Sequence, residues 1–487
     1  MAVYRCPCIK ALKSGASRTM MKWLPQLLNG TLLKQARRLL QAVWEVIAMT
    51  APRPCPPAPG PLEDYAKRFD ELFHTLAQRR SFRAYLTGLL LPHDRNKTLT
   101  ALAGAEPVVQ AQAAAVQRLQ FFLSEADWDV EAINAQRLAL MAEQPMLASH
   151  AHGVLVVDDS GDRKDGHATA HVARQYIGSR GKIDNGIVAV TTLWADERCY
   201  WPLHAQPYTP KSRLPLGEKD PAFRTKPQIA MELIEQARQS GVMFEAVVAD
   251  CFYGDNDGLE WDLRKREIPY VMARRGKVGL GWAPAETAHS FQDAAQELSR
   301  RSWRPITRYF RDGHTEQWWA AELKLFGYGP DREVRSIVAT TDPATLPPLT
   351  TWYLTTNMSL DQAPVAHVVW LYGMRAWIEE HYKRVKDELG WADFMVRADH
   401  AIRRHWALVW CAFSFCWWHE VQRAESLFEL HQSVSCAPKR VREKNEEAQT
   451  PGAGLLAAGA ASRPIMASPV EVAQHLLAGV ARRATAA

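Results

Sequence analysis

Tyr372, Arg375, Glu379 and Lys386 stand in the spacing Y-x2-R-x3-E-x6-K. At 3.6 residues per helical turn, offsets of three, four and seven line one face, which sets a carboxylate between an aromatic hydroxyl and two cations. Such a face suits a divalent cation beside a phosphate. Further acids end two apolar, β-branched runs: Asp158 and Asp159 close GVLVVDD, and Asp250 closes FEAVVAD. Cleaving a nucleic-acid strand without a covalent intermediate needs an activated water, a stabilised leaving oxygen and a phosphorus held in line. Two hard cations about 4 Å apart supply all three. About three carboxylates converging from rigid elements suffice to hold them.

Each acid also has an ordinary structural reading. Asp158 and Asp159 with Ser160 and Gly161 could form a turn, Asp250 could cap the helix DGLEW, and the Tyr-Arg-Glu-Lys face could be a solvated helix surface. The conjunction of two strands ending in Asp and a Glu inside a four-residue signature favours the catalytic set Asp159, Asp250 and Glu379. Strand alternation allows only one of Asp158 and Asp159 to face the metals.

The elements that must position these acids follow from the hydrophobic pattern. Residues 50–61, TAPRPCPPAPGP, read as an extended linker. From 62 to 150 the apolar residues repeat at three and four, as in LEDYAKRFDELFHTL, which predicts a compact helical domain. Arg79, Arg80, Arg83, Arg95 and Lys97 cluster there as a candidate surface for duplex backbone. Residues 151–275 alternate strands and helices: GVLVVDD, GIVAVTTLWAD and CYWPLHAQPYTP as antiparallel strands, a helix from Pro227 to Gln239, the strand before Asp250, the helix DGLEWDLRKRE and the strand PYVMARR. This order, β-β-β-α-β-α-β, is that of a ribonuclease-H-like α/β domain, a mixed sheet flanked by helices. A Trp-rich, mostly β insertion occupies 276–361. Two long helices fill 362–432, the first carrying the signature unbroken and the second apolar on all sides. Residues 433–487 read as a flexible tail with a short helix near Pro469–Val480.

The chain has 487 residues, with Lys plus Arg at 59 against Asp plus Glu at 53, a net charge of +6 that favours a polyanionic partner. Its eight cysteines show no metal-ligand spacing and read as reduced thiols of a cytoplasmic protein. No apolar run reaches the length of a membrane span. Eight Lys or Arg precede the first acid, Glu45, so residues 1–48 resemble a basic targeting leader or an over-long reading frame starting ahead of Met49.

The blocks VVDDSGDRKDGHATAHVARQYIGSRGKIDNGIVAV, VVADCFYGD and WIEEHYKRVKDELGWADFMVR resemble the two Asp blocks and the Glu block of one group of DDE transposases from bacterial insertion sequences. LFHTLAQRRSFRAYLTGLLLP and ADWDVEAI are similar to the helical region ahead of the first Asp. Coverage runs from about Leu62 to Leu427; DRKDG and Cys251 depart from the usual pattern without removing an acid. The resemblance implies cut-and-paste transposition in the cytoplasm, at the nucleoid, with Mg²⁺ as cofactor and Mn²⁺ able to substitute. It implies terminal inverted repeats and target DNA as partners, and a homodimer bridging two ends. It selects Asp159 over Asp158, because a small hydroxyl residue, here Ser160, directly follows the catalytic Asp. Glu379 is the third acid, since it alone satisfies the spacing to Tyr372, Arg375 and Lys386. Those three residues would contact DNA at the element's end, with Arg174, Arg180 and Lys182 as further phosphate contacts. In hairpin-forming relatives an aromatic residue of the β insertion holds a flipped base, a role open here to Trp303, Trp318 or Trp319. Two other functions fit the same acids less closely: another ribonuclease-H-like nuclease such as a junction resolvase, and a transposase-derived DNA-binding protein without catalysis.

Overall fold

The strand β1, Val154–Arg163, is the axis of the fold, and Val154, Leu155, Val156 and Val157 at its start have no exposed surface. An unbroken run of branched apolar residues is what a strand covered on both faces requires. The computed structural model describes residues 57–435 apart from 59, 278–279, 283–287, 311–313 and 327–333. The readings of residues 1–48, most of the proline-rich linker, and the tail with its short helix lie outside the described residues.

On one side β1 pairs antiparallel with β3, Lys182–Ala195. β3 in turn pairs antiparallel with β2, Ala173–Ile177, at one end and with β4, Tyr200–Pro207, at the other. On its opposite side β1 runs parallel to β5, Ala246–Ala249, and β5 runs parallel to β6, Tyr270–Arg274. The path β4-β3-β1-β5-β6, with two antiparallel then two parallel pairings, is the mixed sheet expected of a ribonuclease-H-like domain. β2 is an extra strand that the hydrophobic pattern did not signal, since its polar residues are exposed or half-buried and only Ile177 is buried.

Five helices precede the sheet: α1 Leu62–Lys67, α2 Leu76–Leu90, α3 Leu99–Leu102, α4 Ala114–Ser124 and α5 Val130–Ala142. Except for His74–Leu76, the described residues belong to one compact unit. Arg137 on α5, fully buried, donates to the carbonyls of Pro202 (2.7 Å) and Leu203 (2.9 Å) on β4. It also reaches Ser414 (3.1 Å) on α12, Asp399–Ser435. This polar bolt joins three elements through one side chain. The basic cluster expected on these helices is mostly structural. Arg83 is buried between Glu63 (2.8 Å) and Asp70 (2.6 Å), Arg79 is buried, and Lys97 donates to the carbonyls of Leu89 and Leu91. Arg80 and Arg95 are exposed.

After β5 come α7, Cys251–Gly254, and α8, Asp257–Lys265; before it lies α6, Lys226–Gln239, started by a capping box between Thr225 and Gln228. Gly254 packs so closely on the Ala273 carbonyl of β6 that any Cβ would collide with it. The strands that follow extend the catalytic sheet. β12, Thr351–Thr356, pairs antiparallel with β6, and beyond it lie β11 Arg335–Thr340, β10 Thr315–Phe326, β7 Leu280–Trp282 and β8 Ala288–Ser290. β9, Arg304–Tyr309, pairs with β10. A small second core under these strands gathers Phe291 of α9, Phe291–Gln296, with Ala321, Leu323, Leu325, Val338 and Tyr353.

The helix expected to carry the signature unbroken is two helices, α10 Val365–Gly373 and α11 Ala376–Asp387. At the junction the amides of Met374, Arg375, Trp377 and Ile378 each bond to the carbonyl three residues back. The chain overwinds there to a 3₁₀ turn. Among the described residues, no helix is long and apolar enough to cross a membrane.

Candidate active site

In the parallel pairing of β1 with β5, Val157 stands opposite Ala249, so the next residues, Asp158 and Asp250, leave adjacent strands at the same level. β1 continues past this point while β5 ends, and Asp250 turns into the N-cap of α7, accepting from the amides of Phe252 (3.0 Å) and Tyr253 (3.4 Å). The capping alternative for Asp250 is thus realised, on α7; the helix DGLEW has its own cap, Asn256. One carboxylate oxygen makes both capping bonds.

Alternation along β1 separates the adjacent acids. Asp158 lies opposite Thr191 of β3, whose hydroxyl bonds that of Tyr382 on α11 (2.6 Å), so this face of the sheet looks toward α11. On the same face Asp158 meets Arg375 at 3.2 Å, and Asp162 meets Lys386 at 2.7 Å. Asp159 points to the other face and pairs with Lys226 of α6 at 2.9 Å. The structure therefore brings Asp158, rather than Asp159, to the helix that carries Glu379. Period-two spacing of Asp158, Ser160 and Asp162 was the sequence signal for this face.

Arg375 joins the set. Its guanidinium contacts Asp158 and, one helical turn along, Glu379 at 2.5 Å. Glu379 keeps 64% of its side chain exposed, against 17% for Asp158. Burial, then repulsion from Asp250, pushes the Asp158 carboxyl up to about 8. Asp250 is also raised, by burial, although Arg375 and the two capping amides oppose it. Burial works against the charge on Arg375, but Tyr372, Asp158, Glu379 and Asp250 around it hold the guanidinium more firmly protonated than usual. Two crowded carboxylates raised in this way, with a guanidinium shared between Asp158 and Glu379, form an oxygen-only donor set that fits a hard divalent cation. As the side chains stand, no three His, Cys, Asp or Glu among the described residues converge on one metal position.

The other expected DNA contacts are placed as follows. Tyr372 is buried, and burial raises its hydroxyl to about 12. Lys386 is held by Asp162 and by the Gly161 carbonyl (3.1 Å), which docks α11 onto β1. Arg174, Arg180 and Lys182 are exposed on the β2–β3 hairpin, with Tyr176 and Ile183 paired and exposed between them. Trp318 is buried, its ring 4.7 Å from that of Trp352; Trp319 and Trp303 are half-buried. Lys226 and Arg308 are two well-placed cations that sequence reasoning missed. Cys199, Cys251, Cys411 and Cys416 are free thiols.

A sequence profile described as "DDE superfamily endonuclease" matches residues 68–316, which include both aspartate strands. The chain is 32% identical over 347 residues to a probable transposase for insertion sequence element IS701 from Microchaete diplosiphon, an alignment covering 71% of this chain and 84% of that protein. DDE superfamily endonucleases depend on divalent metal, and transposases act on DNA. With acids delivered by two adjacent strands and a third on the helix beyond the sheet, this chain belongs to the DDE transposases of insertion sequences.

Proposed function

We propose that the protein cuts and pastes its own insertion sequence, using Asp158, Asp250 and Glu379 as the acids and Mg²⁺, replaceable by Mn²⁺, as the metal. The level placement of Asp158 and Asp250, with Glu379 tied to the same guanidinium as Asp158, carries this reading. Bound divalent cations would activate water and stabilise the leaving 3′ oxygen. Asp158 and Asp250 supply rigid oxygens from the sheet. Glu379, on the exposed rim, would swing inward on leaving its pair with Arg375. Arg375 can exchange its carboxylate partners for a backbone phosphate, which releases Asp158 and Glu379 when DNA arrives. Tyr372 borders the same strand from beneath.

Residues 62–150 and the hairpin bearing Arg174, Arg180 and Lys182 serve as further DNA contacts, and two protomers bridge the paired terminal repeats in the cytoplasm. Of the three tryptophans, Trp303 and Trp319 keep surface for stacking a base, whereas Trp318 is committed to the core.

The test is Mg²⁺-dependent cleavage of DNA carrying the flanking terminal repeat. Wild type should cut at the repeat boundary, and Asp250→Asn and Glu379→Gln should not. Binding without cleavage would point to a transposase-derived DNA-binding protein, and preference for branched DNA to a resolvase.

A further inference from the structure

Arg308 lies on β9, and its guanidinium carbon sits 4.3 Å from the ring centre of Trp352, 4.5 Å from that of Trp318 and 4.7 Å from that of Phe310. Three rings thus surround one cation. Among the described residues it has no ion pair and no hydrogen bond. The acid opposite it across the β9–β10 ladder, Glu316, accepts instead from the indole N–H of Trp318 at 2.8 Å. None of the Arg308 nitrogens is sealed from solvent without a partner. Its five N–H donors are held ready at the edge of a half-buried group.

The position of this cage relative to the acids gives it a use. Trp352 stands edge-on to Tyr372, with ring centres 4.9 Å apart, and Tyr372 lies within the field of Arg375 and Asp250. A Cβ placed on Gly373, the last residue of α10, would be 3.5 Å from an Arg308 terminal nitrogen. Arg304, exposed, follows on the same face of β9 four residues away. A row of cations therefore starts beside the signature helix and runs onto the β extension.

We propose that Arg308 binds a backbone phosphate of the DNA strand as it passes from the acids onto the β extension. A guanidinium is weakly hydrated and planar, so aromatic stacking on its faces leaves its edge to grip a phosphate in a fixed direction. Burial lowers the proton affinity of Arg308 and the nearby Glu316 offsets this only in part, which is the cost of holding the cation without a direct ion pair until an anion arrives. This inference rests on the chain's acting on DNA, and its test is arranged to fail separately from the repeat-specific reading.

The experiment measures affinity of the full chain, in EDTA, for a repeat-end duplex and for an unrelated duplex as salt is varied. Arg308→Gln should weaken both by a similar factor, roughly tenfold at 0.1 M salt, and reduce the slope of log K against log salt by about one. Arg308→Lys should recover the slope and only part of the affinity. An unchanged slope in Arg308→Gln, with or without a lower melting temperature, would reduce the cage to a packing device and overturn the proposal. If Arg308→Gln fails to fold, Arg308→Lys decides: affinity equal to wild type on both duplexes would overturn it. Wild type showing no preference for the repeat would sink the terminal-repeat reading and leave the slope comparison intact.

Discussion

Arg375 and Asp158, 217 residues apart in sequence, meet at 3.2 Å at the junction where the signature helix is broken. An arginine thus stands on two of the three carboxylates proposed to hold the metal. Removing it by Arg375→Gln should raise Mn²⁺ affinity of the DNA-free protein several-fold while weakening DNA binding. Titration calorimetry with Mn²⁺ in the absence of DNA checks the first half. Affinity that stays the same or falls would mean that Arg375 does not compete with the cation.

The adjacent acids make a sharper comparison. Asp158→Asn should lower repeat cleavage by roughly 10³-fold or more, as should Asp250→Asn and Glu379→Gln. Asp159→Asn, which loses only its contact with Lys226, should cost far less. Single-turnover cleavage with preformed complexes reads this directly, and a larger loss for Asp159→Asn than for Asp158→Asn would reverse the assignment.

The crowding of Asp158 also predicts how stability depends on pH without metal. Its carboxyl titrates near 8 in the folded chain, through burial and then Asp250, against about 4 when unfolded. A carboxyl with a raised folded value binds more protons folded than unfolded. Its stabilising contribution is present below pH about 4 and lost as pH rises toward about 8. Asp250 acts in the same sense. In EDTA the melting temperature should fall between pH 5.5 and 8.5, and Asp158→Asn should flatten that fall. Calorimetry at the two pH values would refute this by showing the same change in both proteins.

Lys386 should behave as a docking residue. Its partner Asp162 is buried, with 7% of its side chain exposed, so Lys386→Met leaves a carboxylate without its cation and should cost about 3 kcal/mol. Adding Asp162→Leu should restore part of that stability, which a denaturant-melting double-mutant cycle measures. Two losses that simply add would show the pair to be uncoupled.

Much of this arrangement was legible in the sequence, because apolar runs that end in acids describe a buried strand delivering carboxylates to a sheet edge. The proposal of Glu379 came from its spacing. The proposal of Asp158 in place of Asp159 could not, since a resemblance between short blocks ranks neighbours by identity, whereas the face of a strand is decided by register with Thr191 and by the helix that covers it. The break at Arg375 was signalled in the sequence only by Gly373, the last residue of α10, and the overwinding itself resides in backbone bonds. β2 escaped because only Ile177 of its five residues is buried. Arg308 escaped because its three rings come from positions 310, 318 and 352, on different segments.

The pairing of β6 with β12 places Arg274 opposite Tyr353, so the chain leaves the catalytic sheet and returns to it at neighbouring points of one ladder. The strands between those points nonetheless share the main hydrophobic core through Trp318, Ala320, Ile337 and Ala339, whereas β7 and β8 lie at the far edge of the sheet. Change is therefore best tolerated at that far edge, where β7 and β8 are separated by β10, β11 and β12 from the strands that deliver Asp158 and Asp250. Those edge strands can vary while Arg308, stacked on Trp318 and Trp352 of the core side, keeps its place beside α10.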